Sequence, residues 1–520
     1  MKRLLISLVP AAGLSCALAA SLIPISVRGP GQVPAVMASG ASGGAEFGAD
    51  RSTLFFLSDA PDLVDIPSLP GNLELYRHDL VSSSRIRVSL PSPDGGGTGD
   101  VRSFSLAADG SRVLFTRMAA VQSGWPREDV FVVDLPTGVP RWVRLDRMEV
   151  PDPAGIHSTA SLSGDDRWLV FDSTATTLVT DTDANVGPDV FRRNLETGVT
   201  ELLSRTAEGQ AGDRGSMLPL VGHDGTTVVF VSDATNLAPL TGYATALIVW
   251  HPGREPRRLS LPGTPATPLT APIVPDDVVL SADGRFLAFT VTGRQPTELN
   301  AAWWCDLQDE RCLAASGSFA LAGDPLSLSA DGRTLAITVS LGSESTRTNQ
   351  VRVWSEASGL RTLDELRLTL PPTVSDPATS SLPVLSPDGS HILFISPSAI
   401  PEAGVAEAGR DQLYCRVLAT GQTRLLSNDG SFPGPVFSAD GSRIAFQMQE
   451  PVVTPGDANG TFDVLAVTLP SYERQLVSTA SSTANRRTAT GNSLSATGIS
   501  DDGRFAVFTS AAPDLVNTAN

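Results

Sequence analysis

Two stretches of the chain carry residue types able to hold a hard cation. In the run from Asp181 to Asp189, the side chains of Asp181, Asp183, Asn185 and Asp189 alternate along a loop. Alternate oxygen-bearing side chains on a turning backbone converge on one point, which suits Ca²⁺. A second copy, Asp457, Asn459 and Asp463 with Gly460 between them, stands at the same place before its own apolar run. Calcium is therefore the one cofactor expected. The competing reading is a pair of Asx turns, with Asp189 and Asp463 capping the strands that follow. Gly187 is seventh in its loop rather than sixth, so neither copy is an EF-hand.

Other chemistry finds little support. Histidine occurs at His78, His157, His223, His251 and His391, each without a second His or Cys at ligand spacing, which argues against a histidine-metal centre. The one G-x-S-x-G match, Gly40 to Gly44, lies in a small-residue leader rather than on a strand-turn-helix elbow. The four tyrosines are dispersed and the turns read D-G rather than D-x-G, unlike a sialidase. No catalytic residue is assigned. Cys305 and Cys312 flank a short polar stretch between two predicted strands and could face each other across a hairpin, so a disulfide there and a pair of free thiols both stay open. Cys415 is left over and reads as a buried, inert thiol.

What must position any such residues is a repeat. The segments SADGRFLAFT from Ser281, SADGRTLAIT from Ser329 and SADGSRIAFQ from Ser438 are near-copies, and weaker ones begin at Gly48, Ala107, Ser163, Gly222, Ser386 and Ser500. The anchoring aspartates are Asp50, Asp109, Asp165, Asp224, Asp283, Asp331, Asp388, Asp440 and Asp502, spaced from 48 residues (Asp283 to Asp331) to 62 (Asp440 to Asp502). Six positions after each stands Phe56, Phe115, Phe171, Phe230, Phe289, Ile337, Phe394, Phe446 or Phe508, so the register survives the variable spacing. Nine equivalent aspartates cannot all be catalytic, and turn capping explains them.

Asp-Gly between apolar runs is a tight-hairpin signal, because Gly accepts positive φ and Asp bonds to the turn backbone. Asp50-Arg51 lacks that glycine, so the first copy is expected to be the least regular. The run after the turn, as in Arg285 to Thr290, is continuously apolar and predicts a strand buried on both faces. A third strand follows, as in 129–135, 189–195 and 412–418, and then a Thr-Gly or Ser-Gly turn into a fourth. One such meander cannot bury two apolar faces alone. The copies must stack face to face, and radial closure hides their edges.

The S-x-D-G turn, the apolar strand and the D-V-F-V-x-D-L third strand (Asp129 to Leu135) resemble the TolB-like, WD-like propeller repeat family over roughly residues 44–520. The resemblance implies an all-β chain with a single β-propeller of four-stranded antiparallel blades; the copies predict eight blades plus a C-terminal half repeat. There is no room before Asp50 for the α/β domain that precedes the propeller in TolB itself, and the repeats outnumber those of TolB. The resemblance therefore speaks to fold rather than to function.

Residues 1–20 read as a signal peptide: Lys2 and Arg3, an apolar run, and the small residues Ala17 to Ala20, with cleavage near Ala19 or Ala20. An uncleaved anchor is the competing reading, and no later segment is apolar enough to span a membrane. Residues 21–43 form a flexible leader and 44–520 the propeller. The net charge of −18 repels phosphate backbones and argues against nucleic acid. The sequence thus leads to an exported, non-catalytic β-propeller, secreted or periplasmic, serving as a binding scaffold for a protein or glycan partner. A carboxylate-dependent enzyme with its site at the axial mouth, and a structural module of a longer envelope protein, are the alternatives.

Overall fold

The chain is seen in a computed structural model that describes residues 2–7, 22–24, 42–47, 53–59, 63–64, 72–90, 99–119, 127–135, 157–237, 246–261, 277–291, 301–341, 348–362, 380–400, 409–427, 435–448, 463–476, 493–499 and 505–510, short gaps within these spans aside. Every element among the described residues is a β-strand, and no helix among them is long and apolar enough to cross a membrane. The strands fall into eight antiparallel sheets, most of them four-stranded and ordered along the chain.

One repeat shows how the sequence builds the sheet. Asp277–Leu280, Phe286–Val291, Ala301–Asp306 and Arg311–Ala314 pair in that order. The second and third strands are buried at every position, whereas the first and last are partly exposed. A strand covered on both faces reads as an unbroken apolar run, which is why Phe286 to Val291 shows no alternation. The eight anchor residues from Phe56 to Phe446, Ile337 included, are each at most 2% exposed, as a face-to-face stack of sheets demands. The side chain of Phe508 and the turn at Asp50 lie outside the described residues.

The turn between first and second strands is held by a small network. Ser281 Oγ donates to Asp283 Oδ1 at 2.6 Å, and the same oxygen accepts the N–H of Arg285 at 3.0 Å. Ser281 Oγ in turn accepts the N–H of Phe286 at 2.9 Å. The hydroxyl–carboxylate bond repeats at 2.6 Å in Ser163–Asp165, Ser329–Asp331, Ser386–Asp388 and Ser438–Asp440. Burial opposes ionisation of Asp388 and Asp440, yet the hydroxyl and N–H donors outweigh it and hold both carboxyls below the usual range. These aspartates are turn caps.

The chain forms two compact units. One, residues 90–347 with 352–362, contains sheets in chain order whose facing sides share apolar clusters. Val170 and Val190 pack with Phe230 and Ile248, Val229 and Leu247 with Phe289 and Trp303, and Phe286 and Trp304 with Leu335 and Ile337. Backbone bonds link the successive turns: Asp165 N–H to His223 O, His223 N–H to Ala282 O, and Ala282 N–H to Ala330 O. Side chains cross the same joints. Arg192 lies between the rings of Trp168 (3.7 Å) and Trp250 (4.4 Å) and donates to Gly225 O at 3.0 Å. Trp304, at the matching place two sheets on, donates through Nε1 to Gly332 O at 2.7 Å. Cys305 and Cys312 oppose each other in register and form the disulfide, with Cα atoms 4.1 Å apart.

In this unit the second and third repeats share one seven-stranded sheet, joined through the pairing of His157 with Glu128.

The other unit comprises residues 1–89, 348–351 and 363–520. Its sheets Ser381–Leu385 to Thr423–Ser427 and Val436–Phe437 to Glu473–Leu476 pack through Leu393, Leu413, Ile444 and Phe446. The hairpin expected as a C-terminal half repeat has neighbours here. Phe505–Ser510 pairs on one side with Ser493–Ile499 and on the other with Lys2–Ser7, and Leu22–Pro24 adds a fourth strand. A strand central to a sheet needs a ladder on both edges, and the chain start supplies it.

Candidate functional site

The first cation loop ends in a built network. Asp189 opens the strand Asp189–Asn194 and is 1% exposed. Its Oδ1 accepts from Ser204 Oγ at 2.7 Å and its Oδ2 from Asn185 Nδ2 at 3.2 Å. Asn185 also donates to Gly212 O at 2.8 Å and accepts from Gly187 N–H at 2.6 Å, the pattern of an Asx turn. Asp181 and Asp183, like Asp457 and Asn459, lie outside the described residues, as does the side chain of Asp463. Among the described residues no group of three or more His, Cys, Asp or Glu is arranged to hold a metal ion.

The Asp189–Ser204 bond is one member of a series that sequence inspection missed. At the entry to the third strand, Leu75 N–H donates to Ser89 Oγ (2.8 Å), Val190 to Ser204 (3.0 Å), Ala302 to Ser316 (3.0 Å) and Val351 to Ser380 (2.8 Å). Where an acid precedes that N–H, as at Glu74 and Asp189, the serine donates to it. Ser89, Ser204 and Ser316 follow the apolar residues of the fourth strand, and that position was the available signal; Ser380 instead stands directly before the strand Ser381–Leu385.

The histidines are separate: His78 is buried, His251 and His391 are half-buried and His223 is exposed. His78 is 1% exposed, and burial, with the charge of Arg85 beside it, lowers its pKa to about 4. Burial also pushes the pKa values of His251 and His391 down. Burial raises the Cys415 thiol to about 12, against the bond from Tyr472, and this matches an inert thiol.

The concave site lies between adjacent sheets of the unit formed by residues 90–347 and 352–362. A cleft of about 310 Å³ opens between the sheet begun by Asp277–Leu280 and the next, begun by Ala320–Leu321 and Ser327–Leu328. Asp277, Thr290 and Asp324 supply its polar lining, and Leu321, Leu326 and Ile337 its apolar lining, with Gly323 and Pro325 at an exposed rim. The first strand of the second sheet is broken between Leu321 and Ser327, and the break leaves the space.

Two features set the chemistry. Asp277 Oδ2 accepts the N–H of Leu326 at 2.7 Å, which fixes the carboxylate across the joint. Thr338 is 3% exposed, and its hydroxyl oxygen is hidden from solvent without a protein partner. Thr338 follows Ile337, which packs toward the Asp277 sheet, so its side chain lies on the opposite face of the strand and turns away from the cleft. Thr290 and Thr338 sit seven positions after Asp283 and Asp331, where the third, fourth and seventh repeats carry Asp172, Val231 and Ile395. The column changes residue type from repeat to repeat and so leaves no mark in the sequence.

No protein-family profile matches the sequence, and no curated protein does. Among solved structures the chain is similar to one of two prolyl endopeptidases (13% identity, 81% of this chain and 56% of that one, TM-score 0.41). It is also similar to the β-propeller domain of the Trilobed protease from Pyrococcus furiosus, described as having an open velcro topology (10%, 74% and 97%, TM-score 0.34). A puromycin hydrolase is a third (14%, 79% and 59%, TM-score 0.37). The chain spans a little over half the length of the prolyl endopeptidase. At such identities the likeness is one of fold, that of propeller-domain proteins. The expectation of a non-catalytic scaffold does not stand beside neighbours named as a prolyl endopeptidase and a puromycin hydrolase, and the likeness itself assigns no activity.

Proposed function

We propose that the chain acts on a small polar ligand held in the cleft between the sheets begun by Asp277–Leu280 and Ala320–Leu321. The carrying observation is the Asp277 carboxylate, fixed across the joint by the Leu326 N–H in the cleft that the broken strand leaves open. Ligand sites are concave, mainly apolar, and carry a few fixed polar groups, which describes this cleft. Within this reading the repeat is of the TolB-like kind, with eight copies and a further sheet made from both chain ends. The leader directs export, with cleavage near Ala19 or Ala20.

The test is a thermal-shift screen of small polar compounds against the intact chain and Pro325→Trp, which fills the exposed rim and leaves the Asp277–Leu326 bond in place. Compounds that raise Tm of the parent and not of the variant support the reading. Equal shifts in both proteins, or none in either, remove the cleft as the site.

A further inference from the structure

We infer that the exported chain takes an extended, apolar strand of another polypeptide into the place that Lys2–Ser7 fills in its last sheet; the inference rests on the leader being removed. That sheet follows the order of a repeat, with Ser493–Ile499 first, Phe505–Ser510 second, Lys2–Ser7 third and Leu22–Pro24 fourth. Cleavage near Ala19 or Ala20 takes away the third strand and with it the ladder that holds the fourth. Phe505–Ser510 then presents six residues of backbone along one edge, and open strand N–H and C=O groups are a template for another chain. The vacated place lies between sheets. Ser493–Ile499 packs against Ser42–Phe47 of one sheet and against Val436–Phe437, Arg443–Met448 and Asp463–Thr468 of another, and Lys2–Ser7 also reaches Ser42–Phe47. Third strands elsewhere show what such a place requires: Ala246–Trp250 and Ala301–Asp306 are buried at every position. A strand covered on both faces is apolar at successive positions, as Leu4, Leu5 and Ile6 are in the present occupant.

Two nearer candidates fit this place less well. Leu22–Pro24 is antiparallel to Lys2–Ser7, which is antiparallel to Phe505–Ser510, so it would have to reverse its direction to take over the ladder. Pro24 also lacks the N–H that an inner strand donates. In a second copy the same edge is recessed between its own flanking sheets, so the two edges are kept apart, whereas a free extended segment can enter. The net charge of −18 becomes −20 once Lys2 and Arg3 leave, which favours a segment flanked by basic residues, as those two flank the present one.

The test uses the full chain with a protease site placed between Ala20 and Ser21 and cut after folding, so that loss of the strand does not depend on refolding. The probe is a labelled, N-acetylated peptide of residues 1–8. A second peptide carries Leu5→Pro and Ile6→Pro, which removes two successive N–H groups and so at least one that faces the ladder. The first peptide is expected to bind the cut chain about tenfold more tightly than the uncut one and to slow amide exchange in Phe505–Ser510 about tenfold, with Phe286–Val291 unchanged. The second is expected to bind about tenfold more weakly, since a strand held by its backbone needs those donors. Retention of residues 1–20 on the cut chain through gel filtration would support the same inference, because they are then held without a covalent link. No binding to the cut chain, equal binding to cut and uncut chains, or equal binding of the two peptides would overturn it. Phe505–Ser510 protected in the cut chain after residues 1–20 have left would overturn it too: protection independent of dilution assigns the place to the chain's own residues, and protection lost on dilution assigns it to a second copy. The first residue of the chain recovered outside a secreting host separates this inference from the export reading. A start at Met1 would remove the cleavage on which the inference rests, while a start at Ala20 or Ser21 with no peptide binding would remove the inference alone.

Discussion

At the scale of single residues, His78 makes the sharpest statement. It stands opposite Arg85 in the register of neighbouring strands, and Arg85 Nε donates to its Nδ1 at 3.4 Å. Its Nε2, which must then carry the proton of the neutral ring, is buried without a partner. Burial first and the Arg85 charge second lower its pKa from 6.5 to about 4, against the weaker pull of Asp79 and the Ser84 backbone. The folded value lies below the unfolded one, so the unfolded chain binds more protons between about pH 6.5 and 4. Stability from keeping His78 neutral is complete above pH 6.5 and lost progressively as pH falls to 4. Between pH 7 and pH 5 the parent should lose about 2 kcal/mol more than His78→Gln, read from urea unfolding at the two pH values. The other histidines are present in both proteins, so the difference isolates this one. Parallel losses would mean that the ring is not held neutral.

At the scale of elements, the Ser-x-Asp-Gly hairpin was legible because each part answers a local backbone need. Gly332 shows how far that need extends: its φ is +70°, and a Cβ there would stand 2.5 Å from the Phe286 side chain of the preceding sheet. Gly253 has φ +71° but nothing within 4 Å of its Cβ position. Both positions require the left-handed region, which costs a non-glycine residue on the order of 1 kcal/mol, but only Gly332 also carries a packing joint. Gly253→Ala should therefore cost about 1 kcal/mol, and Gly332→Ala about 2 kcal/mol beyond that, the range for overpacking a close-packed core. Chemical denaturation of the two variants compares them, and equal losses would show that the joint yields to the added methyl. The cleft was not legible in the same way. Asp277 and Asp324 lie in stretches without repeat identity, and what unites them is a break in one strand and the joint between two sheets. Asp189, by contrast, was singled out for its loop, while its partner Ser204, 15 residues on, carried no mark beyond its place after an apolar run.

At the scale of the whole molecule, the first residues bear two readings that compete for the same backbone. As a leader, residues 1–20 leave the chain on export; as structure, Lys2–Ser7 pairs with Phe505–Ser510 over six residues, from Lys2 opposite Ser510 to Ser7 opposite Phe505. The unfinished ninth repeat raised pairing of the two chain ends as one alternative, but it could not single out Lys2–Ser7, because the apolar run satisfies a signal peptide as readily as a strand. The ladder has a measurable consequence. Without residues 1–20, Phe505–Ser510 keeps Ser493–Ile499 on one side and becomes an edge on the other, with a row of N–H and C=O groups open to water or to another chain. Amide exchange in Phe505–Ser510 should be faster in the 21–520 chain than in the full chain by a factor of ten or more, a loss of about 1.4 kcal/mol of local stability. Exchange in Phe286–Val291, in the other unit, should not change. Equal protection of Phe505–Ser510 in both chains would remove Lys2–Ser7 from the sheet and leave it a leader alone. Fast exchange in the truncated chain at low concentration, with protection returning as concentration rises, would show the open edge pairing with a second copy, the outcome that an unshielded strand invites.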